Sequence, residues 1–142
     1  MIKKILNPGN YPKNIDLVLL ILRVVGGSIM LTHGLGKFSK LLGDDPIHFA
    51  DPIGIGATAS LALTVFAEVA CSILLIFGFA TRLAAIPLLI TMLVAVFIVH
   101  ANDGFGKMEL ALLYGVIYLV ITIAGAGKIS MDNWLLYKKI KT

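Results

Sequence analysis

Four long apolar runs, roughly 17–35, 58–78, 83–100 and 109–126, constrain this chain more than any other feature. Each holds about 18–21 residues, enough for a helix rising 1.5 Å per residue to cross a hydrocarbon core of about 30 Å. Hydrocarbon offers no water to the backbone, so each run must close its own hydrogen bonds as a helix. Composition agrees. The chain is 58% hydrophobic and only 14% charged, where a soluble domain has about 45–50% apolar residues and about a quarter charged. The expected fold is all-α: an integral membrane four-helix bundle, formed as one domain over residues 1–142.

The basic residues set an expected orientation. Lys3, Lys4 and Lys13 precede the first run, Arg82 lies between the second and third, and Lys128, Lys138, Lys139 and Lys141 follow the fourth. Lys37, Lys40 and Lys107 fall on the other side. The positive-inside rule then puts both termini in the cytoplasm. The basic tail beside Trp134 and Tyr137 fits an anchor on anionic lipid, so the bilayer is the expected partner and no nucleic acid is invoked. The polar stretch Asn7 to Asp16 before the first run, with no small-residue cleavage site after it, reads as a retained helix rather than a signal peptide. Cys71 is the single cysteine. It cannot run a dithiol cycle within the chain and reads as a small packed residue.

Punctuation organises the rest. Asp16 is expected to cap the first helix and Thr81 the third. The connection 36–57 carries Gly43, Pro46, Pro52, Gly54 and Gly56 among polar residues, and connections of that length are usually lids or binding loops. Pro87 falls in the first turns of the third run, where a neighbour can satisfy the freed carbonyl. His33-Gly-Leu-Gly-Lys37 and His100-Ala-Asn-Asp-Gly-Phe-Gly-Lys107 form a faint internal echo at two outer helix ends.

Ionisable residues inside or beside the apolar runs point to the site of action. A charge at a helix centre costs about 2.5–3.5 kcal/mol on insertion scales, so it persists where it pairs, lines a wet cavity or does chemistry. Arg23, Gly26, Gly27, Met30, Gly34 and Lys37 share one face of the first helix, with His33 at its edge, and the glycines there admit a partner helix. Thr64, Glu68 and Ser72 make an inward stripe on the second, beside Cys71. Depth suggests a Glu68–Arg23 pair, either a structural pair that fixes register or a functional acid held by its partner. His33, Lys37, His100, Lys107 and Glu109 converge at the outer ends of the helices. There they could bind an anion, relay protons or hold a quinone head group. A haem between His33 and His100 is disfavoured, since it needs coaxial rings and flat apolar walls. A metal site lacks any local ligand spacing. The Gly-x-Gly pieces lack the strand–turn–helix context of a nucleotide site.

These residues, taken in order, resemble the DoxX family of small four-helix membrane proteins over about 17–132. The matching pieces are Leu22-Arg23 with Gly26, His33-Gly34-x-x-Lys37, Glu68 and Gly78-x-x-Thr81-Arg82. His100-x-x-x-Gly104-Phe105, Glu109 and Gly127-x-x-Ser130-x-Asp132 complete the series. The resemblance implies a multi-pass protein of the bacterial cytoplasmic (inner) membrane. Some relatives look like subunits of a thiosulfate:quinone oxidoreductase, and others are linked to membrane complexes that handle redox stress. Carried over as family polar residues are Arg23, His33, Lys37, Glu68, Arg82, His100 and Glu109. On that reading Glu68, His33 and His100 do the proton chemistry at a pocket open to the outer side, with Arg23, Lys37, Arg82 and Glu109 binding the ligand. The partners would be a quinone and a membrane or soluble redox protein, with a homo-oligomer allowed by the small-residue faces. The alternative is a non-enzymatic assembly factor, chaperone or small-solute transporter.

Overall fold

The structure, a computed structural model, describes residues 7–140, with side chains described as far as residue 136. Lys3, Lys4 and Lys141 lie outside the described residues, as do the side chains of Tyr137, Lys138 and Lys139. Four helices are long and apolar enough to cross a membrane: α1 (Lys13–Leu42), α2 (Ala57–Phe77), α3 (Thr81–Val99) and α4 (Phe105–Ala124). A short α5 (Met131–Ile140) follows. No strand occurs among the described residues.

Side-chain size decides how the helices meet. Met30, Leu75, Leu88, Tyr118 and Ile121 fill the centre of the bundle. Leu17, Phe66, Leu83, Phe97 and Ile123 point outward, an apolar exterior suited to lipid rather than water. Along the α1–α2 seam the backbones touch. A Cβ added at Gly34 would sit 2.8 Å from the Glu68 carbonyl carbon and 2.9 Å from its oxygen, so only glycine fits. That contact sets the register of the two antiparallel helices. It places Gly27 against Ser72 and Ile76, and Arg23 against Gly78.

At the end of the bundle where α1 begins and α4 ends, buried polar groups latch the helices together. Gly78 ends α2 with φ +68°, and the bonds from Gly78 N to the Leu75 carbonyl and from Phe79 N to the Leu74 carbonyl close a Schellman turn. The first amides of α3 find a cap, though not from Thr81, whose hydroxyl has no hydrogen-bond partner among the described residues. The buried Asp132 carboxylate accepts from Ala80 N at 2.7 Å and Thr81 N at 2.9 Å. A carboxylate at a helix N-terminus meets both the orphan N–H groups and the positive end of the dipole. Asp16 likewise is no N-cap. It lies within α1, buried, and its Oδ1 accepts from Lys128 N at 2.9 Å. Arg82 closes the far end of α4, donating to the carbonyls of Ala124 at 3.1 Å and Thr122 at 3.3 Å. A cation there complements the negative end of the dipole.

At the opposite end, the 43–56 connection is held by Asp51. Its carboxylate accepts from Ser60 Oγ (2.7 Å), Gly56 N (2.8 Å) and Ile55 N (3.0 Å). The Ser60 bond, then the Gly56 amide, hold the Asp51 carboxyl below the ordinary carboxylate range. A depressed folded-state pKa contributes order above the ordinary value, and that order is lost as pH falls through the depressed one. Amide protection at Ile55 and Gly56 should therefore survive near pH 4 and collapse only in stronger acid. Asp51→Asn should weaken it at neutral pH and remove its acid dependence. Hydrogen exchange across pH measures both, and loss of protection already at pH 5 would contradict the assignment.

Candidate functional site

Two departures from regular α-helix frame the site. Residues Phe66–Cys71 of α2 and Ala95–Val99 of α3 are π-helical, and the second ends with His100 N bonded to the Ala95 carbonyl at 2.9 Å. Such π turns are uncommon and concentrate at functional sites, because the wider turn re-aims the side chains around it. The first turn carries Glu68; the second delivers His100.

Glu68 is buried, with 3% of its side chain exposed, and it is held by Lys37 from α1. Lys37 Nζ donates to both carboxylate oxygens, at 2.5 Å to Oε1 and 2.7 Å to Oε2. Lys37 itself is one-third exposed, so the pair joins the interior to the wall of a cavity. The expected Glu68–Arg23 pair does not form. Gly34 opposite Glu68 leaves Arg23 eleven positions further along α1, roughly 16 Å away in rise. There the fully buried guanidinium bonds the Ile129 carbonyl through Nη2 at 2.5 Å and feels the charge of Asp132.

A cavity of about 230 Å³ opens between α1, α3 and α4 beside Lys37. His33, Lys37, His100, Lys107 and Tyr114 supply its polar lining, and Met30, Met92, Leu110 and Ala111 its apolar walls. A second cavity of about 230 Å³ lies under Phe49, Ala50 and Pro52 of the 43–56 connection, with Thr64 and Thr91 in its lining. Lys37 and His100 line both. Each alone is smaller than the usual 300–1,000 Å³ ligand site, which suits one ring-sized group better than a whole drug-sized molecule.

The polar side of the lining is nearly charge-balanced. Lys37 is paired with Glu68, and Lys107 Nζ lies 3.8 Å from Asp103 Oδ2. Asp103 also meets His100 Nδ1 at 2.8 Å. That bond, followed by Lys107, holds the exposed Asp103 carboxyl below its ordinary range. With the carboxylate as acceptor, Nδ1 donates, and Nε2 is the ring nitrogen left for other partners. His33 packs edge-on against Tyr114 at 6.4 Å between ring centroids, and Tyr114 stacks on Tyr118 at 6.1 Å. Tyr118 in turn donates to the Gly26 carbonyl at 3.3 Å.

The structure thus brings His33, Lys37, Glu68 and His100 to one place. It does not bring Arg23, Arg82 or Glu109 there. The two arginines belong to the latch at the other end, and Glu109 is exposed outside both cavities. Sequence reasoning missed Tyr114 as a wall of the site. The signal was available, since Tyr114 and Tyr118 stand four residues apart on one helix face. Among the described residues no three histidine, cysteine or carboxylate side chains converge as metal ligands.

Comparison with known proteins adds to this geometry. The DoxX family profile matches residues 18–101. A Haemophilus influenzae protein described only as uncharacterized is 34% identical over 126 residues, 81% of this chain and 88% of its own length. A Mycobacterium tuberculosis protein described as an uncharacterized membrane protein is 31% identical, covering 82% of this chain and 80% of its own. A Bacillus subtilis protein named "Putative oxidoreductase CatD" is 27% identical over 87% of this chain and 90% of its own. No solved structure matches the chain significantly. With four membrane-crossing helices and a profile match over more than half its length, this chain is a membrane protein of the DoxX family.

Proposed function

We propose that this protein is the membrane subunit of a quinone-linked oxidoreductase and that the cavity between α1, α3 and α4 receives the quinone head group. The observation that carries this reading is a ring-sized cavity whose donors are present but whose charges are compensated. A quinone ring is neutral and apolar on its faces and presents two carbonyl acceptors. Methionine and leucine walls suit the faces, while His33, His100, Lys37 and Tyr114 offer donors to the carbonyls. Reduction of a quinone to a quinol takes two electrons and two protons. The electrons come from a partner protein, and the protons pass through the imidazoles, with the Lys37–Glu68 pair behind them as a buried store. The oxidoreductase name of the Bacillus subtilis relative agrees with a redox role. The distribution of basic residues supports termini in the cytoplasm and a cavity facing outward.

The test is extraction and mass analysis of small molecules retained by detergent-purified protein, followed by titration with a short-tailed quinone. A retained or saturably bound quinone is expected, and His33→Ala and His100→Ala should each weaken binding about tenfold, the worth of one good hydrogen bond. Protein that carries only phospholipid and binds no added quinone would overturn the reading in favour of a binding or assembly role.

A further inference from the structure

We infer that the substrate is a long-tailed membrane quinone that enters sideways from the bilayer, with its polyprenyl tail lying in the groove between α1 and α4. This rests on the quinone reading of the polar cavity and names the substrate class that cavity admits. Around the bundle, α1 packs closely on α2 through Gly34 and Gly27, whereas its seam with α4 stays partly open. A groove of about 190 Å³ runs there, lined by Val25, Gly26 and Ile29 of α1 and by Leu110, Leu113 and Tyr114 of α4. No charged side chain lines it.

Three features select a tail as its occupant. First, the groove adjoins the polar cavity, with Leu110 and Tyr114 in the lining of both. Second, its direction is right. Along α1 the cavity is lined from Met30 to Lys37, near the helix end, and the groove from Ile21 to Ile29, deeper in the span. A head group held at the mouth would send its tail down about 12 Å of helix toward the membrane centre. Third, the groove opens to lipid, since Val25 is 50% and Leu113 58% exposed at its rim. Its floor is kept free by Gly26, where a Cβ would stand 3.4 Å from Ile117. A soluble quinone entering from water would need none of this.

The experiment compares two quinones with one head group, one carrying a single prenyl unit and one a long tail, on the full chain in lipid nanodiscs. Val25→Trp and Leu113→Trp fill the groove from exposed rim positions, where a larger side chain meets lipid and the fold is retained. Each should weaken long-tailed quinone binding about tenfold and leave the short-tailed compound within about twofold of wild type. Equal loss for both compounds, or no loss for either, overturns the tail assignment while the head-group site stands. Displacement of co-purified phospholipid by the tryptophans, with long-tailed quinone binding unchanged, overturns it in favour of a lipid site. Failure of the wild-type chain to bind even the short-tailed compound removes the head-group reading, and this inference with it.

Discussion

Asp132→Ala should cost about 3–5 kcal/mol, since each of two buried amides left without its acceptor costs about 1–3 kcal/mol. Asp132 is 1% exposed and does two jobs at once. It accepts the Ala80 and Thr81 amides that open α3, and its negative charge acts on the buried Arg23 guanidinium. Arg23 has little in reserve, since its Nε and Nη1 already lack hydrogen-bond partners among the described residues. Alanine would leave two buried amides without an acceptor, and Arg23 with only its bond to the Ile129 carbonyl and no opposing charge from Asp132. The thermal midpoint of unfolding in detergent should fall by more than about 10 °C. Asp132→Asn keeps an acceptor oxygen and should fall between the two. Adding Arg23→Met to Asp132→Ala should recover part of the loss, because the stranded cation is gone. A midpoint within 2 °C of wild type for Asp132→Ala would remove the latch from the account. If the cavity receives a quinone as proposed, its binding by the folded fraction should stay unchanged, since the latch lies at the other end of the bundle.

The second large effect concerns Lys37 and Glu68. Lys37→Met strands the Glu68 carboxylate at a point where it is almost wholly buried, and Glu68→Gln strands the ammonium at the cavity wall. The losses should be unequal. Lys37 is one-third exposed and can turn to water, whereas Glu68 cannot, so Lys37→Met is the more damaging single change. A double-mutant cycle on unfolding free energy should return a coupling of about 1–3 kcal/mol. The same variants separate structure from function. If the pair serves the cavity, the double variant regains stability yet still binds quinone weakly. Recovery of both would make the pair a register device alone. Coupling near zero would mean that the bidentate contact does not persist in the membrane.

Much of this was legible in the chain. Apolar runs of about 20 residues admit little besides membrane-crossing helices, because hydrocarbon leaves every backbone polar group to be satisfied within the segment. The glycine-bearing face of α1 was readable by the same logic, since helical phase alone puts Arg23, Gly26, Gly27, Gly34 and Lys37 on one side. So was the convergence of His33, Lys37 and His100, which follows from alternating helix direction and from position near a helix end.

What failed was the choice of partner for Glu68, which needed depth to within a turn. Arg23 and Lys37 share a face, and either could serve as the partner of Glu68. Phase repeats along a helix, so it cannot choose between two cations on the same stripe. The choice belongs to the contact of Gly34 with the Glu68 backbone, which sets Lys37 one turn away and Arg23 three turns away. The capping assignments failed for a related reason. Thr81 and Asp16 stand at the right local positions, but the first amides of α3 are met by Asp132, and the Asp16 carboxylate is taken by the Lys128 amide, both more than fifty residues distant in the chain. Nor did composition announce the π turns at Phe66–Cys71 and Ala95–Val99.

The sequence by itself determined that this chain spans a membrane with four helices, which faces of those helices are small or polar, and which ionisable residues stand near which end. Those properties depend on residue type and periodicity, which are local. Only the tertiary structure decided that the polar residues divide into a latch around Arg23, Arg82 and Asp132 and a cavity around Lys37, Glu68 and His100. That division depends on helix register, and register is set by close contacts between residues far apart in the chain.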